Sequence, residues 1–351
     1  MDKVSLFSYL PEALLPWYDA KHRQLPWRED CDPYHIWVSE IMLQQTRVEA
    51  VKGYYARFLQ ALPTVSALAE CEDDVLHKLW EGLGYYNRVR NMKKAARQIM
   101  DNHSGIFPTD YEQILSLPGI GAYTAGAICS IAFNRPTPAV DGNVLRVISR
   151  ITDDDTPIDL PACKNSAQQR LAEIYPDRAG DFTQALMELG ATVCGPNRQP
   201  DCESCPCSAF CLGFQRKTAG NLPVKLPKRE RKSEKKTVFI LSCDGKYALE
   251  KRDSQGLLAN LWQFPNVSGK MDTQAALKQV EQFSLKPREM KMEVERKHIF
   301  THIEWDMRGA YVEVAECGGE FLWLTAQEIE RQIALPTAFR IFWEEIARGK
   351  F

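Results

Sequence analysis

The hydrophobic pattern of this chain changes period once, near residue 235, and that change constrains the fold more than any other feature. Up to about Gly213, apolar residues return at helical spacing. In DPYHIWVSEIMLQQTRV, Tyr34, Trp37, Val38, Ile41 and Met42 recur at i, i+3, i+4, i+7 and i+8. Asp32 as N-cap and Pro33 at the first helical position complete the signal, which predicts a helix over 33–47. DDVLHKLWEGLG, NRVRNMKKAARQIM, YEQILSL, AYTAGAICSIAF, GNVLRVISRI, NSAQQRLAEIY and GDFTQALMELGATVC repeat the spacing. Beyond Lys235 the texture is β-rich and often alternating, as in TVFILSC, KYALEKR, LWQFP, KMEVERKHIFTHIEW and GAYVEVAE. Two helix-like stretches, DTQAALKQVEQF and TAFRIFWEEIARG, accompany these strands. Between the two textures, GNLPVKLPKRERKSEKK joins Gly, repeated Pro and a basic run, the composition of a solvated tether. The expected organisation is multidomain: an all-α domain over 1–219, a linker over 220–236 and an α+β domain over 237–351.

With 351 residues, 44% of them hydrophobic, each part can bury its own core. The formal net charge of -2 sets up no global basic field, so a nucleic-acid partner would need a local patch. No run of eighteen apolar residues occurs, which argues against a membrane span. The opening MDKVSLFSYLPEALLPWYDA also lacks the basic-then-apolar build of a secretory leader. Five of the eleven cysteines, Cys194, Cys202, Cys205, Cys207 and Cys211, crowd into one short stretch. Such clustering favours a metal over a disulfide scaffold and fits a reducing compartment. Four thiolates suit zinc or a cubane iron–sulfur cluster alike.

Three further stretches carry chemistry. LPGIGAYTAGAI sits between two helical patterns, and its Pro118, Gly119 and Gly121 predict a tight turn into a helix with free backbone amides. Such amides grip a phosphate without reading sequence, although the same turn also serves as a plain packing corner. AVDGNVLRV places Asp141 at a helix mouth, as an N-cap or as an anion beside a reacting sugar. Glu40 lies among Ile36, Trp37, Ile41 and Leu43 in the helix over 33–47. It is either a polar-face residue or an acid whose pKa is raised by apolar neighbours. Glycosidic cleavage needs such an acid together with an anion near the sugar.

SEIMLQQTRV, GLGYYNRVRN, LPGIGAYTAGAI, VDGNVLRV and the cysteine cluster follow one another in the order found in the endonuclease III-like helix-hairpin-helix superfamily. In detail they resemble the adenine DNA glycosylase family, whose members remove adenine mispaired with 8-oxoguanine or guanine in double-stranded DNA. The resemblance implies that Glu40 protonates the flipped adenine, Asp141 stabilises the oxocarbenium-like sugar, and Asn143 orients the site. Trp27, Arg28 and Gln184 would line the adenine pocket. Gln45, Thr46, Leu83 and Tyr85 would enter the duplex near the lesion, while Gly119 and Gly121 hold a backbone phosphate. Tyr123 stands where strand-cleaving relatives carry a lysine, so the resemblance implies base removal without lyase chemistry.

The family's cysteine pattern, C-x6-C-x2-C-x5-C around a [4Fe–4S] cluster, implies Cys194, Cys202, Cys205 and Cys211 as ligands. Here the first spacing is one residue longer, and Cys207 falls outside the pattern as a spare thiol. Asn197 and Arg198 would meet a phosphate. The second domain resembles a Nudix fold through LLANLWQFPN, yet QAALKQVEQF offers only Glu281 where a hydrolase presents several carboxylates. That departure argues against nucleotide hydrolysis. The resemblance implies instead that Phe300, Thr301 and His302 recognise 8-oxoguanine, with Thr301 in place of a serine. The implied protein is a monomer acting on chromosomal DNA, in the cytoplasm if its source is bacterial.

Overall fold

The computed structural model describes residues 6–196, 199–227 and 230–347. Asn197 and Arg198 lie outside the described residues. The chain divides into two compact units, one of residues 1–70 and 90–227, the other of residues 71–89 and 228–351.

Helices build the first unit: α1 (Leu10–Lys21), α2 (Pro33–Leu43), α3 (Val48–Ala61) and α4 (Val65–Glu70). After α5 (Asp73–Leu79), which belongs to the other unit, α6 (Asn87–His103) returns the chain to it. Then come α7 (Tyr111–Leu115), α8 (Ala122–Phe133), α9 (Gly142–Thr152), α10 (Pro161–Ala172), α11 (Ala179–Thr192) and the short α12 (Leu212–Gln215). The cap expected for α2 is present, with Tyr34 N donating to Asp32 Oδ1 at 2.8 Å. The helix ends at Leu43, earlier than the expected 47, because Gln45 turns into the left-handed region at φ 59°.

Packing in this unit is tight enough to dictate residue type. Trp37, Phe58 and Phe182 are fully buried, each stabilising by roughly 1.5–3 kcal/mol relative to exposure. Helix α8 is apolar nearly all round and buried along most of its length. A side chain at Gly126 would lie 2.3 Å from the Pro138 carbonyl oxygen, so only glycine lets the 138–139 backbone this close.

The second unit carries a mixed seven-stranded sheet among its described residues: β1 (Lys232–Cys243), β2 (Lys246–Lys251), β3 (Trp262–Gln263), β4 (Asn266–Ser268), β5 (Pro287–Ile299), β6 (Ile303–Val314) and β7 (Leu322–Thr325). The main path runs β3-β2-β1-β6-β5, with β4 on β1 and β7 on β2. Strands β1 and β6 are parallel over eleven residue pairs, from Lys232–Ile303 to Ser242–Glu313. Helices α13 (Thr273–Gln282), α14 (Ala326–Gln332) and α15 (Thr337–Ala347) complete the unit. One core lies around Trp305, Phe339, Phe342 and Trp343, another around Phe239, Leu241, Val280 and Val312.

Two boundaries differ from those expected. Residues 71–89 fall within the range assigned to the helical domain but cluster with the sheet. Polar anchors explain why: Lys78 Nζ donates to the Ile333 carbonyl at 2.8 Å, Leu335 N to Glu81 Oε1 at 3.0 Å, and Lys251 Nζ to Asp74 Oδ1 at 3.0 Å. The expected tether is also shorter than 220–236. Leu222 and Val224 accept hydrogen bonds from Arg150 Nε and Ile158 N, and residues 232–236 already belong to β1.

Candidate active site and cysteine cavity

A cavity of about 470 Å³ opens in the first unit where α2, α8, α9 and α11 meet the Pro26–Arg28 turn. Helix α2, eight of whose eleven residues are buried, presents Glu40. The carboxyl is 6% exposed, and desolvation drives its pKa up to about 7. Tyr123, in the first turn of α8, donates its hydroxyl to Glu40 Oε2 at 2.7 Å and opposes that rise. The nearby Asp141 charge adds to the rise, while Arg28 lowers it. Burial and the two neighbouring carboxylates keep the Tyr123 phenol protonated, so it remains a donor.

Asp141 is the N-cap of α9 and also lines this cavity. Its Oδ1 accepts from Asn143 N at 2.9 Å and Val144 N at 2.8 Å, and its Oδ2 accepts from Asn143 Nδ2 at 2.7 Å. The capping reading of this residue is thus the one the structure displays, in a side chain that also faces the cavity. Three donors at the helix N-terminus fix the direction of this side chain. Asn143 is steadied in turn, its Oδ1 accepting from Arg146 Nη2 at 3.0 Å. Arg146 also donates to the carbonyls of Cys194 at 2.9 Å and Gly190 at 2.8 Å.

Trp27, Arg28, Gln45, Thr46 and Gln184 line the same cavity, so nine of the residues singled out from sequence converge there. Sequence reasoning missed Glu188, which the structure makes central. It is 1% exposed, one helical turn after Gln184 on α11, and clamps both arginines of RQLPWR. Arg23 Nε reaches its Oε1 at 2.7 Å, and Arg28 Nη2 reaches its Oε2 at 2.9 Å. Burial works to raise the Glu188 pKa, but the hydrogen bond from Arg23 and the charge of Arg28 outweigh it and hold the carboxyl below its ordinary range. A glutamate four positions after Gln184, between the apolar Met187 and Leu189, was the available signal.

The turn before α8 is built as the motif suggested. Gly119 adopts φ +79°, and a Cβ there would lie 2.6 Å from the Asn91 Cβ. Gly121 is the N-cap of α8, has no side-chain cap, and meets no atom within 4 Å of an added Cβ.

In the second unit, Leu83 and Tyr85 share a turn that contains three positive-φ residues, Gly82 at 95°, Gly84 at 68° and Tyr85 at 47°. Arg88 Nη2 donates to the carbonyls of Leu83 at 2.9 Å and Gly84 at 3.2 Å. Its guanidinium also stands 5.5 Å over the Tyr85 ring. The Tyr85 hydroxyl meets Thr301 Oγ1 at 3.2 Å. Phe300 is wedged edge-on between His298 and Trp305, while Thr301 and His302 are exposed.

A second, much smaller cavity, about 20 Å³, is lined by all five clustered cysteines. Arg150 Nη1 donates to Cys194 Sγ at 3.2 Å. Cys207, expected as a spare thiol, is fully buried in the same cavity wall.

Comparison with known proteins places both units. Residues 38–163 match the family model "HhH-GPD superfamily base excision DNA repair protein", and residues 237–345 match "NUDIX domain". Among solved structures, a thermostable thymine-DNA glycosylase aligns with a TM-score of 0.54 at 28% identity, covering 61% of this chain and 97% of that one. A trapped endonuclease III–DNA covalent intermediate aligns with a TM-score of 0.52 at 23% identity, over 62% of this chain and 99% of that one, and supports the fold. The Rattus norvegicus adenine DNA glycosylase is 35% identical over 96% of this chain and 78% of its own length. The Homo sapiens enzyme of that name is 33% identical over 94% and 73%. The Arabidopsis thaliana one is 36% identical over 86% of this chain but only 56% of its own length. A helical hairpin unit, a Nudix-like unit and relatives of one kind that span most of this chain agree, and the chain belongs to the adenine DNA glycosylase family.

Proposed function

We propose that the protein excises adenine mispaired with 8-oxoguanine, or with guanine, from double-stranded DNA by hydrolysing the N-glycosidic bond. The observation that carries this reading is one cavity holding a desolvated acid, Glu40, beside the fixed carboxylate Asp141. Extruding the base from the stack costs a few kcal/mol, offset by wedge contacts from Gln45, Thr46, Leu83 and Tyr85. Glu40 protonates the extruded adenine and so turns it into a leaving group; Asp141, directed by Asn143, stabilises the positive charge left on the sugar. Trp27, Arg28 and Gln184 shape the adenine pocket, and the Glu188 clamp keeps the Arg28 fork in place. Phe300, Thr301 and His302 read the opposite, oxidised base, and the amides after Gly119 and Gly121 hold a phosphate. The protein works as a monomer on chromosomal DNA.

Tyr123 sets the outcome. A phenol has no amine with which to form a Schiff base, so the reaction stops at an abasic site. Cys194, Cys202, Cys205 and Cys211 would hold a [4Fe–4S] cluster. The donor set fits: thiols converge on one small cavity, and the Arg150 cation stands on Cys194 Sγ where thiolate charge would gather. When bound, such a cluster cross-links the loop beyond α11. Arg146 and Arg150 anchor that loop through the Cys194 carbonyl, at 2.9 Å and 3.1 Å.

The deciding measurement is single-turnover adenine release from duplexes bearing A:8-oxoguanine or A:G, for the wild type, Glu40→Gln and Asp141→Asn. Release by the wild type and its loss in both variants are expected. Efficient borohydride trapping of a protein–DNA adduct with strand cleavage would overturn the monofunctional assignment.

A further inference from the structure

Two cysteines of the second unit, Cys243 and Cys317, take no part in the chemistry above. Cys243 closes β1 and is 2% exposed, whereas Cys317 lies in the connection after β6 and is exposed. Because β1 and β6 run parallel, with Ser242 opposite Glu313, both strands deliver their C-terminal ends to the same margin of the sheet. There the Cys317 thiol points at the Cys243 carbonyl oxygen, 3.8 Å away, which brings the two side chains together at this margin.

The connection that carries Cys317 is itself tied down. Ala315 N donates to the Lys286 carbonyl at 2.9 Å, and Trp323 Nε1 donates to the Gly318 carbonyl at 2.9 Å. The approach of the two sulfurs is therefore set by strand pairing and by these bonds. Asp244 Oδ2 lies 3.8 Å from Cys243 Sγ, where it can receive a proton.

We propose that Cys243 and Cys317 form a redox site, closed to a disulfide by hydrogen peroxide and reopened by a dithiol. Exposure makes Cys317 the thiol that meets the oxidant. Its sulfur attacks the peroxide, an S–O bond forms as the O–O bond breaks, and the departing hydroxide takes the Cys317 thiol proton and leaves as the first water. Cys243 sulfur then displaces the sulfenic oxygen from Cys317 while its proton passes to Asp244. The S–S bond forms as S–O breaks, and with that proton the hydroxide departs as the second water. Two thiols are oxidised by two electrons, and one peroxide is reduced to two waters. Burial, which raises the Cys243 pKa to about 12, is consistent with its acting second. The closed form would link the ends of two parallel strands. The Phe300–Thr301–His302 segment precedes β6, at the opposite end of that pair.

The test uses the full-length reduced protein and a small molar excess of hydrogen peroxide, followed by alkylation of free thiols and tryptic peptide mapping. Expected is a species joining residues 237–246 to residues 309–331, two hydrogens lighter than the separate peptides and abolished by dithiothreitol. It is expected to be absent from Cys317→Ser, whose exposed site keeps the fold secure, and from Cys243→Ser. In the latter, Cys317 is expected to stop at a sulfenic acid captured by dimedone. Finding Cys317 carried on to the sulfinic acid while Cys243 stays alkylatable would overturn the proposal. So would a linked species that pairs either cysteine with a different partner.

Discussion

Two buried glutamates line one cavity and are opposite in charge behaviour. Glu40 faces a phenol and another carboxylate, and desolvation lifts it to about 7. Glu188 faces two guanidinium groups, which hold it ionised despite the same surroundings. The contrast shows that burial alone does not make an acid; the partners decide which carboxyl keeps its proton. One cavity can then hold a proton donor and a permanent anion at the same pH.

Exchanging these roles should have graded effects. The largest belongs to Glu40→Gln, which keeps shape but removes the proton; a loss of about 10²–10⁴-fold in single-turnover adenine release is expected. Binding of an A:8-oxoguanine duplex, followed by fluorescence anisotropy, should change little. Glu188→Gln should act mainly on the fold, because it leaves Arg28 buried without its counter-charge. We expect about 3 kcal/mol of destabilisation in urea unfolding, at the low end for a broken buried pair since Arg23 is partly exposed.

The pH profile gives the next effect. Glu40 holds its proton below about pH 7, so release should fall about tenfold per pH unit above that point in single-turnover assays. Stability follows the same sign. A carboxyl raised from 4.5 to about 7 by folding contributes stability that is fully present below pH 4.5 and lost as pH rises through about 7. Glu40→Gln should therefore raise the urea midpoint at pH 8 and much less at pH 5. The smallest effect is expected from Tyr123→Phe. Removing the 2.7 Å hydrogen bond moves the alkaline limb of the rate profile upward, with a change of only a few-fold near neutrality. An unchanged limb would show that the phenol does not tune the acid.

Much of this was legible in the residues. Asp32 and Pro33 announced α2, the change of period announced the sheet, and Glu40 stood out as an acid among large apolar neighbours. What stayed hidden depended on contacts across long stretches of chain. Glu188 gains its meaning from arginines about 160 residues earlier. Residues 73–79 read as helical and are helical, yet the polar anchors of the 71–89 segment place it with the sheet. The early end of α2 was hidden for another reason: Gln44, Gln45 and Thr46 leave helical geometry where they line the cavity, a local rule broken at a site. Cys207 matched no spacing and still reached the cysteine cavity.

The Gly82–Tyr85 turn has a consequence for how a duplex would be met. Tyr85 is not a glycine, yet it sits at φ 47°, and Arg88 holds the turn from beneath through two carbonyls. The conformational cost of that shape is carried by the free protein, in the folding balance, and need not be met again at encounter. A probe that arrives already bent can test one base step after another without refolding each time. In the proposed role of Tyr85, the speed of searching and the tightness of holding would then be separate properties, the first set by Arg88 and the second by the Tyr85 ring.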